Sequence, residues 1–325
     1  MKLLGLAELE RVMDPHLVFS AVKAALIAHS RGRTVVPPPM HLDFPDADGD
    51  CHVKAGWVTG EDEFTVKIAS GFYGNARNGI PANHGLMCVI SARTGEVRAV
   101  LDDGGMLTAW RTAAAGALIT HAMARPDART VTVFGTGEQA RLQVSWLARL
   151  RPIDLVLVRG RAAARAEELC SWFAAKGLRA EAGSGVDSGI VLTTTPSPTP
   201  LFDAGSIRPG TQVTGIGADM PHKNELPPEL FARAATIVTD DHGQCLRHGD
   251  FGHAVRAGAV AENCAVTAGE VLSNSLPRAE DAITVADLTG VGVLDAALAS
   301  AMVSLVLPDH AADGRGRARE HRIGG

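Results

Sequence analysis

A short glycine motif set between an apolar run and a helical segment constrains this chain more than any other feature. Gly135-Thr136-Gly137-Glu138-Gln139-Ala140 has the form GxGxxA. It follows the run Thr130–Phe134, which reads as a strand, opens the helical segment QARLQVSWLARL, and is followed by a second apolar run ending near Val158. Strand, glycine turn, helix and second strand form the βαβ unit that accepts a pyrophosphate. The first glycine permits the tight turn, the second lets backbone amides approach the phosphates, and the small Ala140 lets helix and strand pack closely. The helix N-terminus adds partial positive charge. Gly135, Thr136, Gly137, Glu138 and Gln139 are therefore candidate dinucleotide contacts.

The segments that follow keep the same rhythm: DLVLV, ARAEELCSWFAAKG, GIVLTTT, TQVTGIG and TIVTD. Apolar runs of four to six residues separated by helical segments are the pattern of a parallel sheet covered on both faces. A Rossmann domain is the economical reading, and Thr194, at the end of GIVLTTT, joins the candidate cofactor contacts. The first half differs. Asp14-Pro15 caps an amphipathic helix, and from Thr34 to Leu101 short segments such as HVKAGWV, EFTVKIASGF and VRAVLDD are punctuated by Gly, Asn and Pro, which reads as β-rich. An Ala-rich helix over Leu107–Met123, ended by Arg125-Pro126, is taken as the hinge. Leu288–Leu307 is again helical and apolar. The expected fold class is α/β: a Rossmann dinucleotide-binding domain over 116–296, and a β-rich (α+β) dimerisation and substrate domain over 1–115 and 297–325.

Composition excludes several alternatives. No apolar run approaches the roughly 20 residues of a membrane span, and the first residues lack a secretory pattern, so a cytoplasmic location without a membrane partner is expected. A net charge of −5 offers no field for nucleic acid. The one basic run, Arg315 to Arg322, reads as a solvated tail. Five scattered cysteines, none at CxxC spacing, suggest neither disulfides nor a metal site and read as small apolar residues.

At the end of the second strand an NAD-preferring enzyme carries Asp or Glu for the ribose hydroxyls. Here the sequence is Arg159-Gly160-Arg161. Two guanidinium groups in that place should attract a 2′-phosphate, favouring NADP(H) with NAD(H) as the alternative; two solvated surface arginines are the plainer reading.

Four segments together resemble the ornithine cyclodeaminase and mu-crystallin family: Lys67 in TVKIASGF, Arg111-Thr112 in TAWRTAAAGAL, the GTGEQA fingerprint, and Gly217-Ala218-Asp219-Met220-Pro221-His222-Lys223-Asn224-Glu225-Leu226. The similarity runs in order to Gly290 and Asp295 in LTGVGVLDAALA. It implies a homodimer whose β-rich domain, joined by the C-terminal helix, pairs two subunits, and a small-molecule amino or imino acid substrate. By resemblance Lys67 and Arg111 grip the substrate carboxylate, Asp219 faces the substrate nitrogen, Thr112 lies by the nicotinamide, and His84 in PANHGLM matches a family histidine. From the residues alone, Lys67 could equally be a strand-edge lysine, Asp219 a turn residue and His84 a structural one.

Two departures from the family pattern bear on substrate. The usual P-x-R segment is Pro38-Pro39-Met40 here, and Lys54 stands where methionine is frequent, as though the carboxylate clamp had been rebuilt around Lys54. His52 takes the place of a glutamate associated with substrate in the cyclodeaminase branch, and the HxK pattern with LTGVGV is more similar to relatives in ectoine-utilisation operons. The expectation is therefore an NAD(P)H-dependent oxidoreductase that interconverts a small cyclic or linear imino acid and its amino acid by hydride transfer at the α-carbon. The catalytic candidates are Lys67 and Asp219, and Lys54, Lys67, Arg111 and His84 are the substrate-binding candidates. Ornithine cyclodeamination with bound NAD is the alternative. A non-catalytic, crystallin-like NADPH-binding protein is the second.

Overall fold

The computed structural model describes residues 1–274 and 278–307. Within them the chain forms two compact units, Met1–Arg111 with the chain from Gly292, and Thr112–Val291. The division falls inside the helix Met106–Met123. The basic run Arg315 to Arg322 lies outside the described residues.

The first unit is built on a seven-stranded sheet. Lys2–Gly5 runs parallel to Val97–Asp102, and Asn83–Ser91, Glu63–Phe72 and Gly49–Val58 continue as an antiparallel meander. Thr34–Val35 and Met40–Phe44 both pair with the last of these. Side chains alternate across a strand, and the two faces meet different surroundings. One face, carrying Thr65, Lys67, Met87 and Val89, is buried and packs against the helix Gly292–Val306. The other presents Met40, Leu42, Phe44 and Ile68, all exposed.

The helix Gly292–Val306 can sit this close because two glycines face each other. A Cβ on Gly56 would lie 2.7 Å from the Gly292 carbonyl oxygen, and one on Gly292 would lie 2.7 Å from that of Ala55. Backbone thus meets backbone, which fixes helix against strand.

The second unit holds an eight-stranded, wholly parallel sheet. In spatial order the strands are Ala180–Ala182, Leu155–Arg159, Thr130–Phe134, Ile190–Thr193, Gln212–Gly215, Thr284–Asp287, Thr236–Thr239 and Val266–Thr267. Strand order reverses between Thr130–Phe134 and Ile190–Thr193, which creates a crevice at their carboxyl ends. The helices Glu138–Leu147 and Ala163–Ala174 follow the first two strands in sequence.

Two details differ from the sequence reading. Thr284–Asp287 is a strand in the middle of the sheet with all four residues buried; four residues ending in an aspartate carry too little apolar signal to stand out. The apolar stretch from Leu288 is therefore a strand exit first, and its helix starts only at Gly292. All five cysteines are free, with Cys245 buried and Cys264 exposed. No helix of the described residues is long and apolar enough to cross a membrane.

The glycine contact yields a direct test. Gly56→Ala should destabilise the protein by about 1–3 kcal/mol in urea denaturation, because backbone must move to admit the methyl group. Gly205→Ala, at a position with open space around it, should change stability far less.

Candidate active site

In the first unit the sheet's register brings together residues far apart in sequence. Lys54 and Lys67 are cross-strand partners, so both project from the buried face. The helix Met106–Met123 contributes Arg111, and the helix Gly292–Val306 contributes Asp295. One Asp295 oxygen accepts from Arg111 Nε at 2.9 Å, and the other lies 3.0 Å from Lys67 Nζ. Lys67 also donates to Thr108 Oγ1 at 3.2 Å. The three charged side chains are almost wholly buried, none more than 5% exposed.

Burial of charge is costly unless it is paired, and Asp295 pairs with both Lys67 and Arg111. Burial lowers Lys67 to about 8; Asp295 opposes that fall, and Arg111 and Lys54 add to it. Burial would raise Asp295, but Arg111 and Lys67 outweigh it and hold the carboxyl at about 2. Asp103, which accepts from Leu107 N at 2.7 Å at the start of the Arg111 helix, is pushed up by burial. Lys54, Lys67 and Arg111 thus form one charged cluster with Asp295, and Asp103 lies close enough to Lys67 to feel its charge.

The other first-unit candidates divide by strand alternation. His52 shares the face of Lys54; its Nδ1 lies 3.1 Å from His41 Nδ1 and its Nε2 3.3 Å from Asp50. Met40 pairs with Val53 on the opposite face and is exposed, so position 40 adds nothing to the cluster. His84 is opposite Ser70, on the face away from Lys67, and bonds the Pro81 carbonyl at 2.9 Å. The sheet's period of two thus places His84 on the other face from Lys54 and Lys67.

In the second unit the fingerprint takes the shape a nucleotide requires. Gly135 sits at φ +119, where an L side chain is strained, and a Cβ there would strike Thr194 Oγ1. Thr194 Oγ1 donates to the Phe134 carbonyl at 2.9 Å, which ties the ends of the two central strands together. No other atom lies within 4 Å of where a Gly137 Cβ would stand, and Gly137 opens the helix Glu138–Leu147. A bare, open helix N-terminus at the sheet's crevice fits a pyrophosphate. Thr112 is placed beside this helix: its carbonyl accepts from Gln143 Nε2 at 3.1 Å, and the same amide reaches Gln139 Oε1.

The two arginines after the second strand behave differently. Arg159 is buried, with Nε on the Gly185 carbonyl at 2.6 Å and Nη1 on that of Val158. Arg161 is exposed. The pair expected from sequence is thus one structural arginine and one that solvent reaches.

Asp219 lies on the loop after Gln212–Gly215, 47% exposed, with Lys223 Nζ 2.6 Å from its Oδ1. The loop is anchored by Glu225, fully buried, which accepts from Thr193 Oγ1, Thr195 N, Thr195 Oγ1 and Gly217 N at 2.6–2.9 Å. Gly217 has to be glycine, since a Cβ would fall 2.8 Å from Glu225 Oε2 and closer still to Thr195. Beneath it Asp250 Oδ1 accepts from the Glu225 and Leu226 amides. Burial pushes Glu225, Asp250 and Asp287 up, with the mutual repulsion of these acids adding to it.

Asp295 and Glu225 were quoted in the sequence motifs but given no role there. Asp295 did carry a signal, an acidic residue within an otherwise apolar helix.

The chain is similar to known proteins in both sequence and fold. The sequence pattern of the ornithine cyclodeaminase/mu-crystallin family matches residues 2–306. A Rhizobium meliloti protein that carries the name dehydrogenase is 40% identical over 92% of this chain and 94% of its own. An uncharacterized cyclodeaminase, y4tK, of Sinorhizobium fredii is 40% identical over 82% and 83%. Among solved structures, an archaeal alanine dehydrogenase dimer with bound NAD superposes with TM-score 0.88 at 27% identity, covering 95% of this chain and 97% of that one. The iminosuccinate reductase of Paracoccus denitrificans with NAD⁺ gives 0.86 at 26%, with the same coverage. On its sequence and on the fold it shares with these enzymes, the chain belongs to the ornithine cyclodeaminase/mu-crystallin family.

Proposed function

We propose that this chain is an NADPH-preferring reductase of small imino acids, interconverting a cyclic or linear ketimine and the amino acid at the α-carbon. The observation that carries the proposal is the cluster of Lys54, Lys67 and Arg111 about Asp295, with Lys67 and Arg111 buried and both held by that one carboxylate. A buried cation cluster of this kind binds and orients a carboxylate, and misplacement by about 1 Å can cost 100-fold in rate. The reduced nicotinamide supplies the hydride when bound. Lys54, Lys67 and Arg111 hold the substrate carboxylate, so that the adjoining carbon is presented in one orientation. Lys67, poised near neutrality, and Asp219 hold or deliver the proton that the nitrogen needs. Relatives named iminosuccinate reductase, Δ1-pyrroline-2-carboxylate reductase and ketimine reductase mu-crystallin support this reaction class.

The relative named as a cyclodeaminase favours a second reading, in which the amino acid is oxidised, cyclised with loss of ammonia and reduced again. Stoichiometry separates the two. A panel of five- and six-membered cyclic imino acids, and of 2-oxo acids with amines, should consume one NADPH per product, with little proline formed from ornithine. Redox-neutral formation of proline and ammonia with catalytic NAD would establish the second reading instead.

Nucleotide preference rests on Arg161, since Arg159 is committed to backbone carbonyls. Arg161→Ala should weaken NADPH by about 1.5–3 kcal/mol, the value of a charge-assisted hydrogen bond, and leave NADH nearly unchanged in fluorescence titrations. Equal affinity of the unaltered protein for both nucleotides would remove the preference.

The exposed apolar sheet face of Met40, Leu42, Phe44 and Ile68 supports a homodimer, as in the alanine dehydrogenase dimer. Sedimentation should give twice the 33.9 kDa chain mass. Leu42→Asp with Ile68→Asp should shift the protein to monomers, because two buried unpaired charges oppose association. A monomeric unaltered protein would refute the dimer.

A further inference from the structure

We propose that Asp295 is the positioning residue of the carboxylate clamp, one carboxylate that sets the spacing of Lys67 and Arg111 and keeps Lys67 a cation. This deepens the reductase reading and rests on it for the identity of the bound group.

The geometry carries the assignment. Asp295 divides its oxygens, one to Arg111 Nε at 2.9 Å and the other to Lys67 Nζ at 3.0 Å, so a single rigid group fixes two cations from different elements. It stands in the first turn of a 15-residue helix, where the helix dipole favours a negative charge. That helix is held against the sheet by the backbone contact of Gly292 with Ala55 and Gly56, so the carboxylate has little freedom to move. Asp295 is 2% exposed and therefore acts through the two cations it grips.

The charges facing Lys67 show what its removal would do. From its own sheet comes Lys54; from the helix Met106–Met123 comes Arg111, with Asp103 at the helix start; from the helix Gly292–Val306 comes Asp295. Lys67 is lowered to about 8 with Asp295 in place. Without it, two like charges and burial act together against one acid, and the ammonium loses its proton well below that pH. A neutral amine binds a carboxylate weakly, so the clamp should fail as pH rises.

The test reads Lys67 directly and the reaction separately. Lysines are labelled with ¹³C at Cε, Lys67 is assigned with Lys67→Arg, and its titration is followed in the full-length protein and in Asp295→Asn. The midpoint should fall by more than about one pH unit, which is a tenfold change in proton affinity. KM for the imino acid at pH 8 should rise at least tenfold and recover toward the unaltered value on acidification, with nucleotide affinity unchanged. Asp295→Glu should keep the Lys67 midpoint but raise KM at every pH, because charge is preserved and spacing is not. If Asp295→Asn does not fold, Lys54→Met is compared with Lys54→Met/Asp295→Asn, in which a cation and a carboxylate are lost together; the midpoint should again be lower without Asp295. An unchanged midpoint and an unchanged pH dependence of KM would overturn the inference while leaving the reductase reading intact. A shifted midpoint in a protein that turns over no imine would uphold it and dismiss that reading.

Discussion

The first unit is organised around one shared carboxylate. Two buried cations, Lys67 and Arg111, would repel strongly at the reduced dielectric of a protein interior, with Lys54 adding to the effect, and Asp295 makes their assembly tolerable. Its placement depends in turn on a helix whose first residue touches the backbone of a strand. The chain of dependence thus runs from two glycines to a helix position, from there to a carboxylate, and from the carboxylate to the spacing of Lys67 and Arg111.

The second unit solves the opposite problem with the opposite sign. There the buried groups are acids: Glu225 gathers the donors of Thr193, Thr195 and Gly217, and Asp250 receives the amides of Glu225 and Leu226. These contacts fix the loop that carries Asp219, leaving Asp219 half exposed while its surroundings are rigid. Such a division of labour is common in sites where a reactive group has to be reachable but not loose.

Much of this was legible in the sequence because local patterns sufficed. The GxGxxA turn needed only its flanking strand and helix, and the parallel sheet announced itself through repeated apolar runs. Lys54 and Lys67 were marked as partners by resemblance and departure from pattern, and strand register gives the physical reason. Three things required the third dimension. His84 sits immediately before a glycine in a suggestive motif, yet its face depends on strand parity counted from Lys67. Arg159 and Arg161 are indistinguishable as letters, but only the former turns back onto the carbonyls of Val158 and Gly185. Asp295 meets Arg111 across 184 residues of chain, a separation that no local pattern can read.

The glycine contact between Gly56 and Gly292 also bears on how such a protein can diverge. It anchors the helix that carries Asp295 through main chain, which substitutions elsewhere leave untouched. A lineage built this way can exchange side chains around the cluster while the spacing of Lys67 and Arg111 is inherited unaltered, and the two glycines would be the positions least free to drift.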